Sequence, residues 1–267
     1  MEYSEKNHTF IICAYQENPY LENCILSILN QEVLGKVMIS TSTPNQYILR
    51  LAEKHNVPIV VNPEDISAVN NWNFAYMQAN TELVTICHQD DYYKSDYLKM
   101  TLQAVNKSES MILLYTDYFE DRNGTIVDGN LLLKIKRILN FPLRFKYLQK
   151  IKWIRRGILS IGNPICCPSV MFHKKALLAP PFDTTLESSI DWKSWVNLSR
   201  LNGEFIYCPK KLMAHRIWPE SLTSKTIENQ IREKEDYQIL CSMWPRPIAK
   251  MIFLIYKQSQ NSNDKGE

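Results

Sequence analysis

The segment ELVTICHQDDYY (residues 82–93) joins a short apolar run to two adjacent carboxylates, and it is the strongest single signal in this sequence. The apolar run predicts a buried strand, and Asp90 and Asp91 follow at the carboxyl end of that strand. Carboxylates in this position can hold Mn²⁺ or Mg²⁺ against a diphosphate, because both cations accept oxygen ligands and keep coordination positions open for phosphate oxygens. The alternative is that one of the two only caps the helical pattern that follows.

The sequence around this segment alternates between strand-like and helix-like patterns. The predicted strands cover residues 8–14, 36–41, 57–62, 82–87 and 111–129, and segments with apolar residues at helical spacing lie between them. The last of these ranges includes a hairpin at Asn123-Gly124. This order predicts an α/β fold, with a mainly parallel sheet flanked by helices and a C-terminal helical extension. Ligands of such sheets bind beyond the carboxyl ends of the strands. Functional residues are therefore expected in four places, which are residues 14–18, 40–45, 62–71 and 87–92.

The composition is that of a globular protein. The chain has 267 residues, 45% of them hydrophobic, and a formal net charge of +3. No apolar run reaches the ~18 residues needed to cross a bilayer. The N-terminal segment starts acidic and passes straight into a short apolar run, which is not the pattern of a signal peptide. We therefore expect a cytoplasmic protein, either soluble or peripheral on a membrane.

The positive charge is concentrated in one stretch, residues 134–156. Nine cations lie there, and subtracting nine from +3 leaves the rest of the chain at −6. Apolar and aromatic residues alternate with these cations, a pattern typical of an interfacial helix on an anionic membrane, where each Lys or Arg contributes ~1 kcal/mol. The alternative is an amphipathic helix packed on the core with its charges in water. Nucleic-acid binding is not expected, because no recognition module accompanies the charges.

Five blocks in a fixed order resemble a known family. They are AYQENPYLENCILSILNQ (14–31), ISTSTPN (39–45), NNWNFAYMQANTELVTICHQDDYY (70–93), NPICCPSVMF (163–172) and SIDWKSWVNLSRLNGEFIYCPKKLMAHRIWPESLT (189–223). Together they resemble the bacterial family-2 glycosyltransferases of GT-A fold. HQDD stands where that family has its Asp-x-Asp metal motif, and IDWKSW stands where it has a Glu-Asp pair followed by an aromatic residue and Trp.

The resemblance implies an inverting transfer of sugar from a nucleotide-sugar. Asp191 would be the general base that accepts the proton of the acceptor hydroxyl, with Asp90 the principal metal ligand and Asp91 its companion. The implied nucleotide-binding residues are Ala14, Tyr15, Glu17, Ser40, Thr41, Ser42, Asn71 and Gln89. The residues implied to lie beside the diphosphate or the acceptor are Ser169, Trp192, Arg216, Ser221 and Thr223. The expected donor is a UDP-sugar.

The sequence departs from the family pattern at several of these positions. His88 replaces the first Asp of the metal motif, Ile190 replaces the Glu before the base, and Trp218 stands where the family commonly has His. A second hypothesis is therefore a non-catalytic, membrane-associated GT-A-like binding protein. Local structure also offers simpler roles, with Asp191 as a helix N-cap and His215 as a strand histidine with a satisfied hydrogen bond.

A third hypothesis is a sugar nucleotidyltransferase. That class needs backbone amides wrapped around a triphosphate after the first strand, usually in a glycine-rich loop with a basic residue. The loop AYQENPY has neither glycine nor a basic residue, which counts against this hypothesis.

The sequence predicts four segments, each with its own role in the expected function. Residues 1–128 are expected to bind the nucleotide-sugar and metal, 129–160 to face the membrane, 161–225 to supply the acceptor site and base, and 226–267 to form the helical extension. The expected acceptor is a lipid-linked glycan or a polysaccharide in bacterial surface-glycan synthesis, with the protein peripheral on the anionic inner face of the cell membrane.

Overall fold

A computed structural model describes residues 2–63, 67–218 and 231–264, with side chains through residue 257. The strands within these ranges are β1 (His8–Ala14), β2 (Lys36–Thr41), β3 (Ile59–Val61), β4 (Leu83–His88), β5 (Tyr92–Tyr93), β6 (Met111–Arg122), β7 (Thr125–Val127), β8 (Val170–His173) and β9 (Glu204–Ile217). They form one sheet in the order β3-β2-β1-β4-β8-β6-β9-β5, and β7 pairs with the carboxyl end of β6.

Helices cover both faces of this sheet. They are α1 (Leu21–Leu29), α2 (Gln46–Lys54), α3 (Ala68–Gln78), α4 (Tyr97–Val105), α5 (Leu131–Asn140), α6 (Lys146–Gln149), α7 (Lys152–Leu159), α8 (Ile190–Leu198), α9 (Ile231–Cys241) and α10 (Arg246–Asp264). None of the helices in the described ranges is both long enough and apolar enough to span a membrane.

Strand β1 shows why the sheet is buried on both sides. All seven of its residues are buried. Successive side chains of a strand point to opposite faces, so Phe10 and Ile12 pack with α1, α2 and α4, whereas Ile11 and Cys13 pack with α3, α8 and α9. A continuous apolar run is what a strand covered by helices on both faces requires.

The long ladders of the sheet are parallel, as the sequence predicts. β1 pairs in parallel with β2 and β4, and β6 pairs in parallel with β9. The short strand β8 joins the two sets by antiparallel pairing to β4 and β6. Strands from residues 1–128 and from 161–225 therefore share one sheet, and the carboxyl ends of β4 and β9 meet at one edge.

The predicted hairpin after β6 is confirmed. Asn123 and Gly124 have φ angles of 51° and 86° between β6 and β7. Positive φ at both central residues is what a tight two-residue hairpin requires, and Asn-Gly is the pair that adopts it at least cost.

The basic stretch is not one interfacial helix. It is divided into α5, a 3₁₀ turn (Phe141–Arg144), α6 and α7. Pro142 has no backbone N–H to continue α5 and lies in the first turn of the 3₁₀ segment instead. Because the chain changes direction here, the nine cations lie in different environments. Arg155 is buried, whereas Lys146 and Lys150 are exposed.

Candidate active site

The two adjacent carboxylates at the end of β4 point to different places. The chain turns after His88, where the backbone N–H of Asp91 lies 3.3 Å from the carbonyl oxygen of His88. Asp91 is fully buried, whereas Asp90 lines a cavity of about 470 Å³. That volume is within the usual range for a small-molecule site.

Asp91 connects β4 to the end of β9. Its Oδ1 accepts a hydrogen bond from the backbone N–H of Arg216 at 2.8 Å and lies 3.1 Å from Nδ1 of His215. Burial opposes the charged form of His215, but the charge and hydrogen bond of Asp91 outweigh it and raise the pKa of this imidazole. The simpler role expected for His215, a strand histidine with a hydrogen-bond partner, is consistent with this contact.

The Arg216 side chain is held by protein groups on all sides. Its guanidinium donates to the backbone oxygen of Asp90 at 2.8 Å, to Oδ2 of Asp121 at 3.1 Å and to Oδ1 of Asn23 at 3.3 Å. It also lies 4.0 Å from the ring centre of Tyr20. Arg216 therefore fixes the turn that carries Asp90, and it is not among the residues that line the cavity.

Trp218 contacts the carboxylate that faces the cavity. Its indole Nε1 donates to Oδ2 of Asp90 at 2.8 Å, and its ring meets Tyr20 edge-on at 5.3 Å. Burial raises the pKa of Asp90 and the charge of Asp91 raises it further, whereas the Trp218 hydrogen bond acts in the opposite direction. The Trp found where the family commonly has His thus supplies a hydrogen bond to Asp90.

His88 lies between this carboxylate pair and an aromatic ring. Its imidazole stacks on Trp72 with ring centres 4.7 Å apart. Burial lowers the pKa of His88 against the opposing charges of Asp91 and Asp90, which favours the neutral ring. Its Nδ1 lies 3.7 Å from Oδ2 of Asp91, which is too far for a hydrogen bond.

Two buried atoms beside the cavity have no hydrogen-bond partner among the described residues. They are Nε2 of His88 and Oδ2 of Asp91. A carboxylate oxygen and a neutral imidazole nitrogen are donors that Mn²⁺ accepts, so this donor set fits a divalent cation. Within the described part of the chain, no group of three or more His, Cys, Asp or Glu side chains is arranged to hold a metal. A cation here would need further ligands from a diphosphate or water.

Asp191 lines the same cavity as Asp90. It lies in the first turn of α8, whose N-cap is Ser189, so Asp191 is not the N-cap residue that the alternative interpretation proposed. Its Oδ2 accepts from the side-chain amide of Asn163 at 2.8 Å, and its Oδ1 accepts from the backbone N–H of Trp192 at 2.7 Å. Both hydrogen bonds fix the orientation of the carboxylate.

The loop after β1 meets the loop after β4. The side-chain amide of Gln89 accepts from the backbone N–H of Tyr15 at 2.9 Å and donates to the backbone oxygen of Tyr15 at 3.1 Å. Both residues line the cavity. Ala14 is buried at the end of β1, and Glu17 is exposed in the loop.

The residues predicted at the end of β2 are mostly buried. Ser40 and Thr41 are fully buried, and the Ser40 hydroxyl donates to Oδ1 of Asn71 at 3.0 Å. The Ser42 hydroxyl is buried without a partner among the described residues. None of these three side chains lines the cavity, and Ser40 instead connects β2 to α3.

The remaining predicted site residues are divided among different environments. Trp192 lines the cavity and donates from its indole nitrogen to the Leu159 carbonyl at 2.9 Å. Ser169 is buried in the turn before β8, where its hydroxyl donates to the Cys166 carbonyl at 2.7 Å. Ser221 and Thr223 lie outside the described residues.

Two cations of the cavity were not predicted as site residues. Lys136 on α5 was assigned to the membrane-facing stretch, and Arg232 on α9 was not singled out, yet both line the cavity with Asp191. Helical periodicity identifies which face of α5 is apolar but not what lies opposite each charge. No signal in the sequence brings Arg232 to the same cavity as Lys136.

The family comparison gives a match over more than half of the chain. A sequence model of the family described as Glycosyl transferase family 2 matches residues 9–165. A search of curated protein sequences finds no significant match.

Solved structures share the fold at low sequence identity. S. aureus TarS 1–349 with UDP-GlcNAc has a TM-score of 0.61 at 15% identity, covering 96% of this chain and 73% of that one. The mannosyltransferase PcManGT from Pyrobaculum calidifontis with GDP-Man and Mn²⁺ has a TM-score of 0.59 at 16% identity, and the match covers 92% of this chain and 68% of that one.

A third similar structure is glucosyl-3-phosphoglycerate synthase from Mycobacterium tuberculosis with Mn²⁺, UDP and glucosyl-3-phosphoglycerate. It has a TM-score of 0.56 at 13% identity, covering 89% of this chain and 80% of that one. With the family match, these similarities confirm the GT-A-like α/β fold expected from the sequence.

We expect Arg216→Gln to destabilise the protein strongly. The substitution leaves the carboxylate of Asp121 buried without its ion pair, which typically costs about 3–5 kcal/mol. Lys211→Gln is the matched control, because Lys211 lies on the same strand and pairs with Asp128 at the exposed surface, where loss costs about 0–1 kcal/mol. Urea unfolding of both variants measures the difference. Equal losses in the two variants would contradict the structural role assigned to Arg216.

Proposed function

The chain belongs to glycosyl transferase family 2, and we propose that it transfers a sugar from a nucleotide-sugar to a hydroxyl group of a lipid-linked or polysaccharide acceptor. The observation that carries this proposal is the cavity lined by both Asp90 and Asp191. One carboxylate is available for the donor diphosphate and its cation, and the other is available for the acceptor hydroxyl. We assign donor binding to residues 1–128 and acceptor chemistry to residues 161–225.

The donor nucleotide is assigned to the end of the cavity between β1 and β4. Tyr15, Gln89 and Trp72 line it there. UDP is the nucleotide we expect, and the ligands of the similar structures support this class, with UDP-GlcNAc or UDP in two proteins and GDP-Man in a third. Ser40 and Asn71 are buried, so we assign them to holding the β2 end in place rather than to touching the base.

A divalent cation, Mn²⁺ or Mg²⁺, is assigned to the carboxylate of Asp90. Oδ2 of Asp91 and Nε2 of His88 are buried and have no hydrogen-bond partner among the described residues, so they are available as further ligands. Mn²⁺ in two of the similar structures supports this assignment. A bound cation supplies positive charge against the negative charge that develops on the departing diphosphate.

Asp191 is assigned as the general base. The acceptor hydroxyl oxygen forms a bond to the anomeric carbon, the bond from that carbon to the diphosphate oxygen breaks, and the hydroxyl proton passes to the Asp191 carboxylate. One displacement inverts the configuration at the anomeric carbon. Asn163 and the backbone N–H of Trp192 hold the carboxylate in a fixed orientation, which is what a positioned base requires.

A surface of α6, α7 and the preceding turn supports a lipid-linked acceptor. We define it as the interfacial patch, formed by four exposed aromatic residues and four exposed cations, which are Phe141, Phe145, Tyr147, Trp153, Arg144, Lys146, Lys150 and Lys152. Trp153 is 74% exposed, which is unusual for a side chain of this size. Aromatic rings with interspersed cations suit the headgroup region of an anionic membrane. We infer that the protein binds peripherally to the inner face of the cell membrane.

Calorimetric titration with nucleoside diphosphates tests the donor site and its cation. We expect one nucleoside diphosphate among UDP, GDP, CDP and dTDP, UDP by preference, to bind more tightly with Mn²⁺, measured by calorimetry. Asp90→Asn should weaken the metal-dependent binding by about tenfold or more, because one charged oxygen ligand is lost. Asp96→Asn, at the start of α4, is the control. Binding of none of the four nucleotides would favour the non-catalytic hypothesis.

The base is tested by Asp191→Asn. Hydrolysis of UDP-GlcNAc or UDP-glucose by water needs the same base as transfer does, so we expect UDP release to fall by ~10²–10⁴ while UDP affinity is unchanged. Glu187→Gln, an exposed residue just before α8, is the control. Full activity of a folded Asp191→Asn variant would rule out this assignment.

The interfacial patch is tested by vesicle sedimentation. We expect the protein to bind phosphatidylglycerol vesicles and not phosphatidylcholine vesicles. Each cation near the surface contributes ~1 kcal/mol, so Lys146→Gln with Lys150→Gln should lower partitioning by about thirtyfold. Lys54→Gln with Lys99→Gln changes the net charge equally on α2 and α4 and is the control. If both double variants lower partitioning equally, the effect is one of net charge alone, and membrane binding by the interfacial patch is contradicted.

A further inference from the structure

We propose that Lys136 and Arg232 form a subsite for a phosphate group of the acceptor. This inference rests on the proposed transferase function and adds the class of acceptor, one that carries an anionic group near the hydroxyl that reacts. The two residues come from α5 and α9, and both line the cavity that contains Asp191.

Both cations interact electrostatically with Asp191. Burial lowers the pKa of Lys136 and the charge of Arg232 lowers it further, whereas Cys166, Glu120 and Asp191 raise it. Burial lowers the pKa of Arg232, but Asp236, Tyr256 and Asp191 outweigh it and raise the pKa. Because both cations line the cavity with Asp191, which is assigned to the acceptor hydroxyl, we assign them to the acceptor as well.

The positive charge of Lys136 is not matched by a nearby carboxylate. Its Nζ donates to the Tyr118 hydroxyl at 2.8 Å and lies 5.3 Å from the centre of the same ring. No carboxylate oxygen of the described residues lies within 4.0 Å of it, and two of its three N–H donors have no described partner. Its neighbour Arg137, by contrast, is ion-paired with Asp117 at 2.8 Å and Asp128 at 3.0 Å.

Arg232 is hydrogen-bonded to the Tyr256 side chain, and its ion pair with Asp236 is loose. Its Nε lies 3.9 Å from Oδ2 of Asp236, which is beyond hydrogen-bond distance, and Oδ1 of Asp236 already accepts from the Ser189 hydroxyl at 2.6 Å. Two like charges in a partly buried cavity repel each other and lose hydration, so an anion between them is favourable. Asp191 cannot serve as that anion throughout the reaction, because its negative charge is lost when it accepts the proton.

A phosphate group fits this pair. It carries up to two negative charges and several acceptor oxygens, and charged hydrogen bonds from Lys and Arg are the usual means of binding it. Held there, the phosphate would position the adjoining hydroxyl of the acceptor beside Asp191. The competing interpretation is that the two cations only offset the charges of Asp191 and Asp236.

The test uses the full chain saturated with UDP and Mg²⁺, and inorganic phosphate as the probe. Binding is followed by the ¹⁵N indole resonance of Trp192, which lines the same cavity. We expect saturable phosphate binding, weakened about tenfold or more in Lys136→Gln and in Arg232→Gln, because each removes one charged hydrogen-bond donor. UDP affinity and melting temperature are measured for each variant. If Lys136→Gln does not fold, Arg232→Gln decides the outcome.

The controls are Lys134→Gln and Lys234→Gln, exposed residues on the same two helices. An effect equal to that of Lys136→Gln and Arg232→Gln would indicate general charge screening and overturn the proposal. The proposal is also overturned if UDP binds but phosphate shows no saturable binding. It is overturned as well if UDP-GlcNAc displaces phosphate and UDP does not, because the cations would then face the donor sugar. Failure of UDP itself to bind would instead contradict the proposed function.

Two sources of the phosphate can be distinguished. Phosphatidylcholine vesicles with and without a polyprenyl phosphate are sedimented with wild type and Lys136→Gln. Retention of wild type only on polyprenyl phosphate, with loss in the variant, would support a lipid-carried phosphate. Binding of free phosphate without retention on these vesicles would support a soluble acceptor that carries a phosphate ester.

Discussion

The buried carboxylate of Asp91 joins two strands that are far apart in the chain. It accepts the backbone N–H of Arg216 at the end of β9 and lies at hydrogen-bond distance from His215. The Arg216 guanidinium in turn holds the carbonyl oxygen of Asp90. A buried charge must be paired to be tolerated, so these contacts fix where the end of β4 lies relative to β9. The direction in which Asp90 faces the cavity depends on this arrangement.

Two of the residues that set this chain apart from the family pattern, Trp218 and His88, lie beside the carboxylate pair. Trp218 donates to Asp90 and packs against Tyr20, which lies under Arg216. His88 stacks on Trp72 instead of adding a third acidic group. Aromatic and imidazole groups here carry less negative charge than the acidic pattern would, which lowers the repulsion on Asp90 and Asp91. The site thus combines two carboxylates with an indole that donates to Asp90 and an imidazole beside Asp91.

The basic stretch illustrates how one run of sequence can serve three purposes. Arg155 donates to backbone oxygens after α8, including that of Ser199 at 2.9 Å, and so supports the core. Lys136 faces the cavity, and Lys146 and Lys150 remain at the surface. The turn at Pro142 ends the helix that carries Lys136 and separates it from the later segment that carries the other three cations.

The sequence by itself determined the α/β class, the order of the first strands and helices, the Asn123-Gly124 hairpin and the family resemblance. These features depend on local periodicity, turn chemistry and motif order, which are readable along the chain. Only the tertiary structure decided that Asp91 is buried while Asp90 faces the cavity, and that Lys136 and Arg232 lie near Asp191. The contacts of Asp91 with His215 and Arg216 join residues 124 and 125 positions apart, and they depend on the order of strands in the sheet, which local patterns do not encode.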